Sequence, residues 1–179
     1  MVKLDELSLR MIAFCDASFA NNRDMSSQIG FVIVLADKYN NANIIHWQSV
    51  KCRRVTRSVL ASELYGFASA FDTAATLKST AEQLFTGCRQ GIPLIMATDL
   101  KSLYNCLTKL GTTKEKRLMI DLMCLRQAYE RREITEVIWI KGEMNPADAM
   151  TKDKKVCDAL TRLIEINKVN LKPESWVDR

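Results

Sequence analysis

Short apolar runs open this chain and longer amphipathic stretches follow them. Met11-Ile12-Ala13-Phe14-Cys15 is uncharged and mostly apolar, and it leads straight into Asp16-Ala17-Ser18. A run that short predicts a strand covered on both faces, although periodicity alone leaves a helix segment open. After the polar Asn21-Asn22-Arg23-Asp24, the stretch Ile29 to Leu35 predicts a second strand. Beyond the turn-rich Asp37 to Asn43, Ile44-Ile45-His46-Trp47-Gln48 predicts a third. Three strands with short connections imply an antiparallel meander.

The period then changes. Ser58 is a candidate N-cap, and Leu60, Leu64, Phe67, Phe71 and Ala74 recur at helical spacing. A loop around Gly87 to Gly91 ends at Pro93, and Leu94-Ile95-Met96-Ala97 predicts a fourth buried strand closed by Asp99. A helix from about Leu100 to Leu110 would be capped by Gly111. Leu118, Leu122, Leu125 and Tyr129 mark another helix, and Val137 to Ile140 a fifth strand. Asn145-Pro146 has the form of a helix start, with Asn145 as N-cap and Pro146 in first position. A final helix carries Leu160, Leu163 and Ile164, and from Val169 a loosely held tail is expected. This order implies an α/β fold with a five-stranded mixed sheet: a three-stranded antiparallel meander plus two parallel strands, flanked by helices. The expected organisation is one domain over 1–168 with a C-terminal tail over 169–179.

Composition narrows the classes. With 47% hydrophobic and 26% charged residues over 179 positions, the chain has enough apolar material for one real core. The net charge of +5 is a mild hint of an anionic partner. Six scattered cysteines without a C-x-x-C pair, beside the single His46, argue against a zinc site and for small buried thiols in a reducing compartment. No apolar leader core and no membrane-length segment is visible, so a soluble intracellular protein is expected.

Four carboxylates stand where carboxylates are costly. Asp16 and Asp99 each close an apolar strand, Glu63 falls on or beside the packed stripe of its helix, and Asp148 opens the element after the fifth strand. Each has a bland explanation. Asp16 can cap a turn, Asp99 can cap the next helix, and Asp148 can simply favour a helix dipole. Jointly they make the all-oxygen set a divalent-metal phosphodiesterase needs, in which two ions about 3.5–4 Å apart activate water and stabilise the leaving oxygen. The basic run Lys51, Arg53, Arg54 and Arg57 just ahead of the Glu63 helix suits phosphate contacts, or equally a solvated turn.

At this point the sequence resembles a known family. Cys15-Asp16-Ala17-Ser18-Phe19-Ala20, Ser26-Ser27-Gln28-Ile29-Gly30-Phe31, His46-Trp47-Gln48-Ser49, Ser58 to Tyr65, Thr98-Asp99 and Asn145 to Lys152 are similar to the ribonuclease H domain of copia-type retrotransposon polyproteins, in wording the fungal branch. The motifs span roughly Met11 to Lys152. The resemblance implies that Asp16, Glu63, Asp99 and Asp148 are catalytic and hold two Mg2+ or Mn2+ ions. It implies hydrolysis of the RNA strand of an RNA–DNA hybrid, with selectivity resting on 2′-hydroxyl contacts in the shallow minor groove. It also implies a reverse transcriptase domain as partner in the parent polyprotein, with the work done in a cytoplasmic retroelement particle or the nucleus. The isolated domain is expected to be a monomer with no membrane contact.

Two departures from the family pattern matter. The loop Lys141-Gly142-Glu143-Met144-Asn145 lacks the histidine that cellular relatives often carry there, leaving Glu143 and Asn145 as auxiliary candidates. Leu100 follows Asp99 where relatives more often have a small polar residue. Both favour, faintly, an alternative: a catalytically weak or inactive module that binds nucleic acid or a protein partner. His46 is expected to pack, and Trp47 and Trp139 to lie in the core rather than stack on bases.

Overall fold

Residues 10–18 form the central strand because every residue from Met11 to Ala17 finds cover on both faces. The computed structural model describes residues 1–85, 91–109, 113, 115–152 and 157–174. In it β1 (Arg10–Ser18) pairs antiparallel with β2 (Gln28–Ala36), and β2 antiparallel with β3 (Ala42–Lys51). On its other side β1 runs parallel to β4 (Leu94–Thr98), which is parallel to β5 (Glu136–Trp139). The sheet order is β3-β2-β1-β4-β5, the meander plus two parallel strands that the patterning predicts.

Alternation along the strands splits the core in two. Met11, Ala13, Cys15, Phe31, Ile33, Leu94 and Met96 point to one face, where α1 (Val59–Leu84) and α3 (Leu118–Glu130) lie, with α2 (Lys101–Thr108) beside them. Ile12, Phe14, Val32, Val34, Ile95 and Ala97 point to the other, beneath a 3₁₀ turn at Pro146–Met150 and α4 (Asp158–Ile166). Each large aliphatic buried this way contributes about 1.5–3 kcal/mol of transfer free energy, so β1 is held from both sides.

Several expectations need correction. The element starting at Pro146 is one 3₁₀ turn, separate from α4; its N-cap is nevertheless Asn145, whose Oδ1 accepts from the Ala147 N–H at 3.1 Å. Within the expected tail, residues 169–174 are tied down rather than loose. Val169 is buried and donates its N–H to the Asn40 carbonyl (2.9 Å), Leu171 packs on the α4 side of the core, and the Glu174 N–H donates to the Trp139 carbonyl (2.8 Å). Trp47 is 65% exposed, because β3 is an edge strand with one uncovered face. Trp139 is half-buried, and His46 stacks on Phe31 with ring centroids 5.8 Å apart, a packing role. The expected cap at Gly111 and the loop at 86–90 lie outside the described residues. Among the described residues no helix is long and apolar enough to cross a membrane, and every cysteine is free.

Candidate active site

The register of the sheet fixes where the carboxylates meet. Asp16 sits at the C-terminal end of β1, opposite Gly30, which is itself opposite Ser49. Its neighbour Cys15 is opposite Thr98 of the parallel strand β4, so Asp99 emerges beside Asp16 at the same end of the sheet. Crevices at the carboxyl ends of parallel strands are the usual place for sites in open α/β sheets. The 3₁₀ turn brings Asp148 in from the α4 face. One carboxylate oxygen from each of Asp16, Asp99 and Asp148 lies within 4.8 Å of the other two.

Glu63 approaches from the opposite face. It lies one turn into α1, whose N-terminus is capped by Ser58 Oγ accepting from the Ala61 N–H at 3.1 Å. The helix comes close to β1 because residue 66 is glycine; a Cβ there would stand 3.4 Å from the Asp16 carbonyl. Glu63 Oε1 accepts from the Ala17 N–H at 3.2 Å, while Oε2 is buried with no hydrogen-bond partner. Such an atom is expensive to leave bare, and its surroundings are further carboxylates.

The capping explanations do not use up Asp16 or Asp99, while Asp148 does lie in the first turn of its 3₁₀ segment, where a dipole favours it. The helix after Asp99 has Leu100 at its cap position and no side-chain capping bond. The 3₁₀ turn is capped by Asn145, not by Asp148. Asp16 is 6% exposed, and its Oδ2 accepts from the Thr151 hydroxyl, not from a turn amide.

Crowding and burial shift the titrations together. Burial, then the charges of Asp16 and Asp99, pushes Glu63 up to about 9. Burial, then Asp16, pushes Asp99 up to about 6, against the opposing hydrogen bond from Asn145. Burial also raises Asp16, partly offset by Thr151. A cluster that resists full ionisation by itself is the arrangement a cation would relieve.

Three residues hold this geometry, of which the sequence assigns a role only to Asn145. Asn145, predicted as a cap and auxiliary candidate, is fully buried and ties three elements together: its Nδ2 donates to the Cys15 carbonyl at 2.8 Å and its side chain bonds the Asp99 carboxylate. Asn145→Ala is expected to cost roughly 2 kcal/mol of stability in chemical denaturation, since it leaves the buried Cys15 carbonyl unpaired. Thr151 bridges Asp16 to the Asp148 carbonyl. Lys152 is ion-paired with Asp148. Their spacing from Asp148 shows in the sequence, but their contact with it depends on the 3₁₀ turn. Glu143 is exposed and borders the crevice beneath α4 with Phe14, Met144 and Pro146.

The basic run leaves β3 at the same end of the sheet, since Lys51 is opposite Gln28, the partner of Ser18. All four cations are exposed, but two are already matched. Lys51 pairs with Asp24, and Arg54 pairs with Asp121 at 2.9 Å while its guanidinium lies over the Tyr65 ring. Arg53 and Arg57 make no ion pair among the described residues.

No protein-family model matches the chain, and no curated protein matches it in sequence. Solved structures do match. RNase H1 from the halophilic archaeon Halobacterium salinarum NRC-1 superposes with a TM-score of 0.56 at 16% identity, over 85% of this chain and 98% of that one. LC11-RNase H1, isolated from compost, gives 0.58 at 16% identity over 85% and 98%; in its complex with an RNA/DNA hybrid it gives 0.56 at 15% identity over 85% and 99%. The N-terminal RNase H domain of a Mycobacterium tuberculosis protein gives 0.55 at 15% identity over 89% and 99%. Likeness at this level of identity speaks for architecture, and with the strand order and helix placement described above it gives the chain the ribonuclease H fold.

Proposed function

We propose that this chain is a divalent-metal-dependent endonuclease that hydrolyses the RNA strand of RNA–DNA hybrids. The observation that carries this reading is the convergence of Asp16, Asp99 and Asp148 within 4.8 Å, with the bare, buried Glu63 Oε2 beside them. An all-carboxylate donor set suits hard cations such as Mg2+ or Mn2+, and an orphaned carboxylate oxygen facing like charges fits their presence. Asp16, Glu63, Asp99 and Asp148 would hold them. Two bound ions supply water activation and stabilisation of the leaving oxygen in an in-line displacement at phosphorus.

The chain's own part is placement. The Ala17 N–H fixes Glu63, Thr151 fixes Asp16, and Asn145 fixes Asp99. Water adds to the phosphorus and the bond to the 3′-oxygen breaks, leaving a 3′-hydroxyl and a 5′-phosphate. Arg53 and Arg57, exposed and outside any ion pair among the described residues, would meet backbone phosphates without reading sequence. The motif resemblance further supports a setting in retroelement reverse transcription, alongside a reverse transcriptase domain and in a cytoplasmic particle or the nucleus.

The test is strand choice. With Mg2+ or Mn2+, a hybrid labelled on each strand in turn is expected to lose only its RNA strand, with 3′-hydroxyl and 5′-phosphate ends. Duplex DNA and duplex RNA are expected to stay intact. Binding of the hybrid without cleavage of either strand would instead favour a non-catalytic binding module.

A further inference from the structure

Lys152 is a cation placed inside the acidic cluster by an element the strand pattern does not predict. Its ammonium pairs with Oδ1 of Asp148 one turn earlier, and its charge is also felt at Asp16 and Glu63. The two partners are differently embedded: the Asp148 side chain is 12% exposed, the lysine side chain 50%. The ammonium therefore sits in the site while its stem runs through solvent, so it can leave by side-chain rotation without disturbing the core. A divalent ion held by Asp148 would lie within a few ångströms of that ammonium, and the two cations repel each other.

We propose that Lys152 is a tethered counter-cation, displaced from Asp148 when a divalent ion binds. The inference rests on reading the cluster as a metal site. It has two consequences of opposite sign. Without metal, Lys152 offsets the repulsion among the carboxylates and supports the fold. Toward metal, it is a competitor whose removal tightens binding. A lysine with a merely structural role would contribute only the first effect.

Mn2+ binding by calorimetry at fixed pH, with thermal melting of the metal-free proteins, separates these. Lys152→Met is expected to bind Mn2+ roughly tenfold more tightly than the wild type and to melt lower without metal. Lys152→Arg, which keeps the charge, is expected to stay near the wild type in both. Equal or weaker Mn2+ binding by Lys152→Met overturns the counter-cation role while leaving the metal site standing. Absence of Mn2+ binding in every variant and the wild type overturns the metal site itself. Should Lys152→Met not fold, Lys152→Gln carries the same expectation and the same contradiction.

Discussion

Glu63→Gln is expected to raise the melting temperature of the metal-free protein at pH 8 and to remove most of the stabilisation that Mg2+ confers. The sign follows from linkage. Glu63 has a folded value of about 9 against an ordinary 4.5, so above pH 4.5 the unfolded chain releases a proton that the folded one keeps. Its contribution to stability is therefore full below about pH 4.5 and declines as pH rises towards 9. Glutamine is neutral at every pH and can still accept from the Ala17 N–H, so the variant escapes that loss, on the order of 5 kcal/mol at pH 8. The carboxyl group that keeps its proton in the metal-free fold is also what a divalent ion would bind on deprotonation, and saturation at about 100 times Kd would stabilise the wild type by about 2.7 kcal/mol. Calorimetric melts with chelator and with Mg2+ measure both effects. A lower metal-free melting temperature for the variant would mean that Glu63 is satisfied as it stands and is no ligand in waiting.

Gly30→Ala is expected to disable the site from the opposite side of β1 while leaving the sheet formed. A Cβ at residue 30 would stand 2.4 Å from Met150 Cβ and 2.9 Å from Thr151 Cγ2. Neither approach is tolerable, and the neighbour that must move is the turn carrying Asp148 and Thr151, because β2 is locked between β1 and β3. Overpacking of this kind costs about 1–3 kcal/mol. The expected signature is a modest loss of stability with far-ultraviolet circular dichroism unchanged, together with a large loss of metal affinity. Retained Mn2+ affinity would show that the 3₁₀ turn is not the part that positions Asp148.

Gly30 also marks where the sequence stops being readable. Its neighbourhood reads as an ordinary strand, and nothing local reveals that residues 150 and 151 will press on it. The same holds for Thr151 and Lys152, whose roles arise only after the chain has returned from β5 to the end of β1. What was legible rested on strong local signals. The uninterrupted apolar run of β1 and the four-and-three stripe of α1 predict the sheet and its helix. Carboxylates closing two apolar strands, on a packed stripe and opening the element after the fifth strand point to a joint set, of which Asp16, Asp99 and Asp148 converge. Single residues misled where they depended on distant cover. Trp47 is exposed because β3 is an edge, and Val169 is anchored because Asn40 happens to receive it. Two of the four basic residues ahead of α1 find acidic partners from distant segments, Asp24 and Asp121, which composition could not foresee.

The measurement that bears most directly on the central claim is single-turnover cleavage of a labelled RNA–DNA hybrid in Mg2+ and in Mn2+ by the intact chain and by Asp16→Asn. Asparagine keeps the shape and an acceptor for Thr151 but removes the charge at the centre of the cluster. Metal-dependent scission of the RNA strand by the intact chain, reduced roughly 10²-fold or more in a variant that folds normally, is the predicted result. Cleavage that persists in Asp16→Asn, or a folded intact chain that binds the hybrid and never cuts it, would contradict the assignment of catalysis to these carboxylates.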